Sequence, residues 1–191
     1  MIACISKTLY TNVTTLMPTF FEKKHPSFNS LDVGILFTSY QIVALITGPL
    51  AGNYIGKIGR KNCLVFAIFD LTIATVMFGV AGLIEDDTAF YNLSMFARLL
   101  QGVGASIIHV ASPSIIAIEY PEMQVKYQGM LEMCYGLGQM LGPLLAAILM
   151  RFFDYSNTMM FFAGLVGVVG IPMASCLPAG LNKTIKDEEG D

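Results

Sequence analysis

Charge is what this chain has least of. Asp, Glu, Lys and Arg make up 13% of its 191 residues, where an ordinary soluble domain has about 25%. The net charge of -3 is small and offers nothing to a polyanion, so a nucleic-acid partner is not expected. The four cysteines, Cys4, Cys63, Cys134 and Cys176, are scattered through apolar segments. They show neither metal-ligand spacing nor a disulfide framework, so they read as small buried hydrophobes. There are two histidines, and no H-E-x-x-H, G-x-S-x-G or P-loop pattern. Enzymatic chemistry, a metal site and a bound cofactor are therefore not expected.

Apolar surface is what the chain has in excess. Hydrophobic residues make up 54% of it, and the mean hydropathy is +0.63. Apolar runs of about 20 residues, enough to cross a bilayer, fall at roughly Ile2–Phe21, Leu31–Ile55, Asn62–Ile84, Tyr91–Ile118, Tyr127–Met150 and Asn157–Pro178. The fold class expected is an all-α membrane protein of six transmembrane helices over residues 1–178, with a polar, disordered cytoplasmic tail at 179–191. The first segment carries Lys7 and five threonines and has no basic region ahead of its apolar run. It reads as a span with a polar face, not as a signal peptide. The connections hold most of the charge. On one side lie Lys57, Arg60, Lys61, Lys126, Lys183 and Lys186, and on the other Lys23, Lys24 and Arg151. That asymmetry places both termini in the cytoplasm. The sequons at Asn12, Asn92 and Asn182 fall in a span, against the membrane and on the cytoplasmic side, so none is expected to carry glycan.

The end of the second span is the most informative stretch. Gly48, Gly52 and Gly56 recur every fourth residue, which predicts a helix face that another helix approaches closely. A short turn with Lys57, Gly59, Arg60 and Lys61 follows. Arg60 is expected to pair across the cytoplasmic side with Glu119 or Glu122.

Polar residues inside spans are costly, so their placement carries information. On a helical projection of the fourth span, Arg98, Gln101, His109, Ser112 and Glu119 share an arc of about 80°. A single polar stripe along a whole span predicts a helix lining a water-filled path. Such a stripe would face the surface that a second half covers, together with Thr11 and Thr14. In the first span Lys7, Thr11, Thr14 and Pro18 share roughly 60°. In the fifth, Glu132, Tyr135, Gly136, Gln139 and Pro143 form a comparable face, beside a close-packing strip of Gly138, Gly142 and Ala146. Pro143 is expected to disrupt its helix, and Pro172 to kink the sixth. Asp70 stands alone in the third span, either protonated or paired with a neighbour such as Lys7. Glu132, about one turn inside its span, is the first candidate for a group that changes charge, and His109 the second. Arg98 would be the fixed positive charge beside them.

Three motifs in order resemble the amino-terminal half of a major facilitator superfamily transporter. The turn is similar to the family pattern G-x-x-x-D-R/K-x-G-R-K through Gly52, Lys57, Gly59, Arg60 and Lys61, with Gly56 where the family has Asp. Arg98 to Ala105 resembles R-x-x-Q-G-x-G-A, and Gly129, Gly138 and Gly142-Pro143 resemble the fifth-helix motif of proton antiporters. Ala146-Ala147 replaces the final Gly pair of that motif. Ile118 to Pro121 and Gly136 to Pro143 are most similar to the vesicular amine, polyamine-type branch. The resemblance implies half of a twelve-helix fold, built as a 3+3 inverted repeat, with solute held between two halves. It also implies proton-coupled antiport of an organic cation, with protons, the solute, the lipid bilayer and a second six-helix half as partners. The alternative is a non-transporting half or fragment that binds or regulates a full-length relative. Vesicular, endosomal and plasma membranes are not distinguished.

Overall fold

The computed structural model describes residues 2–177; the tail 179–191, Pro178 and the sequon at Asn182 fall outside the described residues. Five long helices run in order: α1 (Ile2–Lys24), α2 (Ser30–Ile58), α3 (Arg60–Ala81), α4 (Asp87–Glu119) and α5 (Gln124–Leu149). The last stretch is α6 (Tyr155–Leu165), a π-helical turn (Val166–Gly170) and α7 (Ile171–Ser175). Among the described residues there is no strand. The helices Ser30–Ile58, Arg60–Ala81, Asp87–Glu119 and Pro121–Leu149 are long and apolar enough to cross a membrane. Among the described residues the other two runs fall short of that measure. In α1, Lys7, the threonines and the closing Glu22-Lys23-Lys24 dilute the apolar content. In the sixth, Pro172 lacks the N–H that a regular turn requires, and the π turn directly precedes it.

Two sets of contacts build the bundle. α2 and α3 both pack along α4, while α1 lies along α5 and α6 leans on α3. Backbone approaches make this possible. A Cβ at Gly102 would stand 2.8 Å from the Tyr40 carbonyl of α2, and one at Gly104 2.9 Å from the Ala67 carbonyl of α3. On α5, a Cβ at Gly138 would collide with the Cys4 backbone, and one at Gly142 with Thr11 Oγ1. Thr8 Oγ1 crosses that seam to donate to the Gly138 carbonyl at 3.1 Å. Thr11, Thr14 and Thr15 return their hydroxyls to carbonyls of the preceding turn at 2.8 to 3.2 Å. The threonine hydroxyls are thus satisfied inside α1 without water. The strip at Gly48 and Gly52 behaves differently from its expected role. Space is open around Gly48, and a Cβ at Gly52 would only graze Val110 at 4.0 Å. Four-residue spacing marks a face on which helices are able to approach closely; it does not bring one there.

The core divides into two apolar clusters. One gathers Leu9, Leu64, Ile68, Leu71, Ile108 and Phe162; the other gathers Met17, Leu36, Phe78, Phe90, Ala97 and Met159. Between them, on α1, α3 and α4, lie buried Asn12, Thr75, Arg98 and Gln101.

The turn between α2 and α3 pivots on Gly59, whose φ of 96° is the only positive value among the described residues. That conformation is open to glycine and strained for other residues. At the other end of the bundle the α1–α2 loop is clasped to α4. The buried His25 ring stacks on Phe90 with centroids 4.3 Å apart, and its Nδ1 meets Asp87 Oδ1 at 2.5 Å. Ser27 Oγ donates to the other oxygen of Asp87, and Lys24 Nζ donates to the Gly82 carbonyl at 2.8 Å. The Ser27 hydrogen bond, and after it His25, holds the Asp87 carboxyl below the usual range. α4 begins at Asp87, ahead of the start at Tyr91 expected from hydropathy, because Asp86 caps it by accepting from the Ala89 N–H at 2.7 Å.

Two outcomes follow. Gly142→Leu should separate α1 from α5 and cost about 1–3 kcal/mol in thermal unfolding in detergent, while Gly136→Ala on the same helix, which meets nothing within 4 Å, should be neutral. Asp87→Asn should speed amide exchange in the α1–α2 loop at neutral pH. Because the folded Asp87 is the stronger acid, its contribution is present above the unfolded value of about 3.9. It fades as pH falls below that value, so wild type and variant should converge in acid. A persistent gap there would show that Asp87 acts through packing.

Candidate functional site

A groove of about 190 Å³ opens between α1, α2 and α4, lined by Lys7, Tyr10, Tyr40, Gln41, Ser106 and His109 among others. It sits roughly 15 Å from the ends of α2 and α4 that carry the basic turn and Glu119. Three rings, those of Tyr10, Tyr40 and His109, are part of its walls. Tyr10 and Tyr40 lie with centroids 4.7 Å apart, and Gln41 Nε2 donates to the Tyr10 hydroxyl at 3.2 Å. His109 stacks on Tyr135 of α5, with centroids 4.4 Å apart and planes 16° from parallel. Lys7 Nζ stands between two of these rings, 5.8 Å from the Tyr10 centroid and 5.7 Å from that of Tyr135. Glu132, exposed on α5, is close enough for its field to act on Lys7. The two do not form an ion pair.

The stripe predicted on the fourth span divides. Arg98 and Gln101 are buried, at 0% and 1% exposure, so they do not face a surface that a second half would cover. Arg98 Nη1 donates to Gln101 Oε1 at 2.8 Å, while Nε and Nη2 have no protein partner among the described residues. Three rings surround the guanidinium: Phe37 at 4.8 Å, Phe78 at 5.5 Å and Tyr10 at 6.0 Å. Further along the same arc His109 is exposed and Ser112 half-buried beside Tyr135. The projection fixes a direction around α4 but not what covers it at each depth. Over a helix of 33 residues, about 50 Å at 1.5 Å per residue, α1, α2 and α3 close over the Arg98 level and part at His109.

Other expected members are spread similarly. Thr11 is buried against Gly142, so it is not on an open face. Thr14 is half-buried with its hydroxyl bonded to Tyr10 and Thr11 carbonyls. Gln139 is exposed on α5, and Pro143 half-buried within it. Asp70 does not pair with Lys7; its carboxyl is buried against Gly104 of α4. Arg60 forms no ion pair with Glu119 or Glu122. Its Nε donates to Ser114 Oγ at 3.2 Å, and Glu119 and Glu122 are exposed. The short side chain of Ser114 is on the helix turn that Arg60 reaches first, so the guanidinium never extends to the end of α4. Lys57 is exposed, with Nζ 5.6 Å from the Tyr54 centroid, and Lys61 is half-buried. Sequence reasoning did not single out Tyr10, Tyr40 or Gln41. Their signal was the aromatic content of the faces beside Lys7, which a search for charged residues passes over. Among the described residues no group of three His, Cys, Asp or Glu side chains is placed to hold a metal ion.

Helices of bilayer length, apolar on their outer faces and parted by a polar groove, define an α-helical integral membrane protein. The chain belongs to the Major Facilitator Superfamily, which it matches over residues 1–189. It is similar to the MFS-type transporter SLC18B1 of Rattus norvegicus, 27% identical over 168 residues, which cover 88% of this chain and 36% of that protein. The Homo sapiens protein of the same name is 30% identical over 146 residues, 76% of this chain and 32% of that protein. The synaptic vesicular amine transporter of Mus musculus is 28% identical over 158 residues, 82% of this chain and 29% of that protein. The chain thus spans about a third of the length of these relatives.

Arg98→Lys should lower stability by roughly 1–2 kcal/mol, read as a fall in the midpoint of thermal unfolding, because a compact ammonium neither stacks in the ring cage nor keeps the planar contact with Gln101. An unchanged midpoint would show that the rings contribute packing alone.

Proposed function

We propose that the chain is a six-span half of a transporter that exchanges an organic cation for protons. Both termini lie in the cytoplasm, and a second six-helix unit covers the groove. The observation that carries this reading is the groove itself: the Tyr10, Tyr40 and His109 rings line an open space, Tyr135 stacks behind His109, and the Glu132 carboxylate is exposed nearby on α5. Ring faces attract a desolvated cation by about 2 kcal/mol or more, and a carboxylate fixes its charged end. Lys7 is the internal competitor. Its ammonium occupies the rings and the field of Glu132 when no solute is bound, and an arriving organic cation or proton redistributes that charge. One pair of contacts fits a 3+3 inverted repeat: α1 on α5 is matched by α4 on α2 when the first three helices are exchanged for the second three. A purely regulatory half is not favoured, because the relatives are named as transporters.

Glu132→Gln tests the coupling. In proteoliposomes containing the assembled transporter, the substitution should abolish amine uptake driven by a pH gradient and leave exchange of solute for solute largely intact. If both activities survive unchanged, Glu132 does not carry the proton, and His109→Gln becomes the next substitution to examine. If both are lost, Glu132 holds the solute itself.

A further inference from the structure

The turn after α2 is the most cationic connection in the chain, and it has no acid of its own. From Gly52 to Asn62 there is no Asp or Glu, and Gly56 stands where a carboxylate would answer Lys57 and Arg60. Arg60 is bonded to Ser114, Lys57 lies over the Tyr54 ring, and neither is in an ion pair among the described residues. Directly beside the turn is a crevice of about 490 Å³ whose walls include Leu50, Tyr54, Ile58, Cys63, Phe66 and Ile107. Its origin lies in the packing already described. α2 and α3 each seat against α4, at Gly102 and Gly104, and scarcely touch one another. The space between them is floored by Ile107 of α4. Along α2 the crevice runs from Thr47 to Ile58, roughly 16 Å at 1.5 Å per residue. That is about half of a hydrocarbon core roughly 30 Å thick, the acyl depth of one leaflet.

We propose that this crevice with its cationic rim is a binding site for one anionic phospholipid. The acyl chain lies between α2 and α3, and the headgroup phosphate meets Lys57 and Arg60. The two halves of the site match the two halves of the ligand. The walls are apolar over one leaflet's depth, and the cations stand at the end where a headgroup lies. The excess of Lys and Arg assigns this end to the cytoplasmic leaflet, where anionic lipids are concentrated. A phosphate there supplies the negative charge that the turn lacks, so the lipid becomes part of the α2–α3 connection. Tyr54 joins the two parts, lining the crevice while its ring carries Lys57.

The site is tested by native mass spectrometry of the full chain released from nanodiscs of phosphatidylcholine, with or without phosphatidylserine. The wild type should retain phosphatidylserine in preference to phosphatidylcholine. Lys57→Gln should reduce that preference about fivefold, as expected for one cation near an anionic headgroup. Gly56→Asp should reduce it similarly by giving the turn its own carboxylate. Ala51→Trp, which fills the crevice, should lose retained lipid of both kinds. Equal retention of the two lipids by the wild type, or an unaltered preference in Lys57→Gln, overturns the proposal. Displacement of phosphatidylserine by soluble glycerol phosphate also overturns it, since that would be an anion site at the turn without the crevice. Lys57 is exposed, so its variant keeps the test decisive if Ala51→Trp fails to fold.

Discussion

The architecture depends on four places where one helix backbone touches another. Lipid tails are as apolar as leucine, so burying apolar side chains gives helices little reason to associate inside a bilayer. Close approach supplies the attraction, and it requires residues without a Cβ at the point of contact. Gly102 and Gly104 bring α2 and α3 onto opposite flanks of α4, and Gly138 and Gly142 bring α5 onto α1. The remaining features follow from these contacts. Because α2 and α3 are both committed to α4, a crevice is left between them. Because α1 is committed to α5, the parting between α1, α2 and α4 forms the groove.

Within that frame the burial of Arg98 is the least expected feature. A guanidinium with two unpartnered nitrogens, and in no ion pair among the described residues, is an expensive group to enclose. Its surroundings reduce the cost in two ways: Gln101 accepts one N–H, and three aromatic rings present their negative faces. The side chain thereby divides the interior into two apolar clusters, with Asn12 and Thr75 at the same level. Substituting any of the three rings therefore alters an electrostatic environment as well as a packed volume.

Much of the helix content was legible from the sequence because apolar runs of bilayer length are a strong signal, and the boundaries of α3 and α5 lie close to those expected from hydropathy. The first and last helices were harder to define from composition, since Lys7, the threonines and Pro172 weaken them as apolar segments. At the site, the direction of the fourth-helix stripe was legible but its burial was not. Angular position around a helix is local information, whereas cover at a given depth depends on where other helices cross. The same limit applies to Arg60. Both ends of the expected ion pair lie on one side of the bundle, yet Ser114 is nearer than Glu119, and no pattern in the sequence records that distance. The aromatic walls of the groove were missed for a different reason: Tyr10 and Tyr40 carry no charge to draw notice, and no pattern in the sequence records the space beside them.

Tyr10 has a cation on each face of its neighbourhood, Lys7 on the groove side and Arg98 on the interior side, with the ring centroid 5.8 Å from Nζ of the first and 6.0 Å from Cζ of the second. The ring thus stands as a partition between the open groove and the buried Arg98, and both charges sense its position. Any tilt of α1 would move the ring relative to both charges at once. A change at the groove would thereby reach the buried guanidinium through a displacement of one aromatic plane.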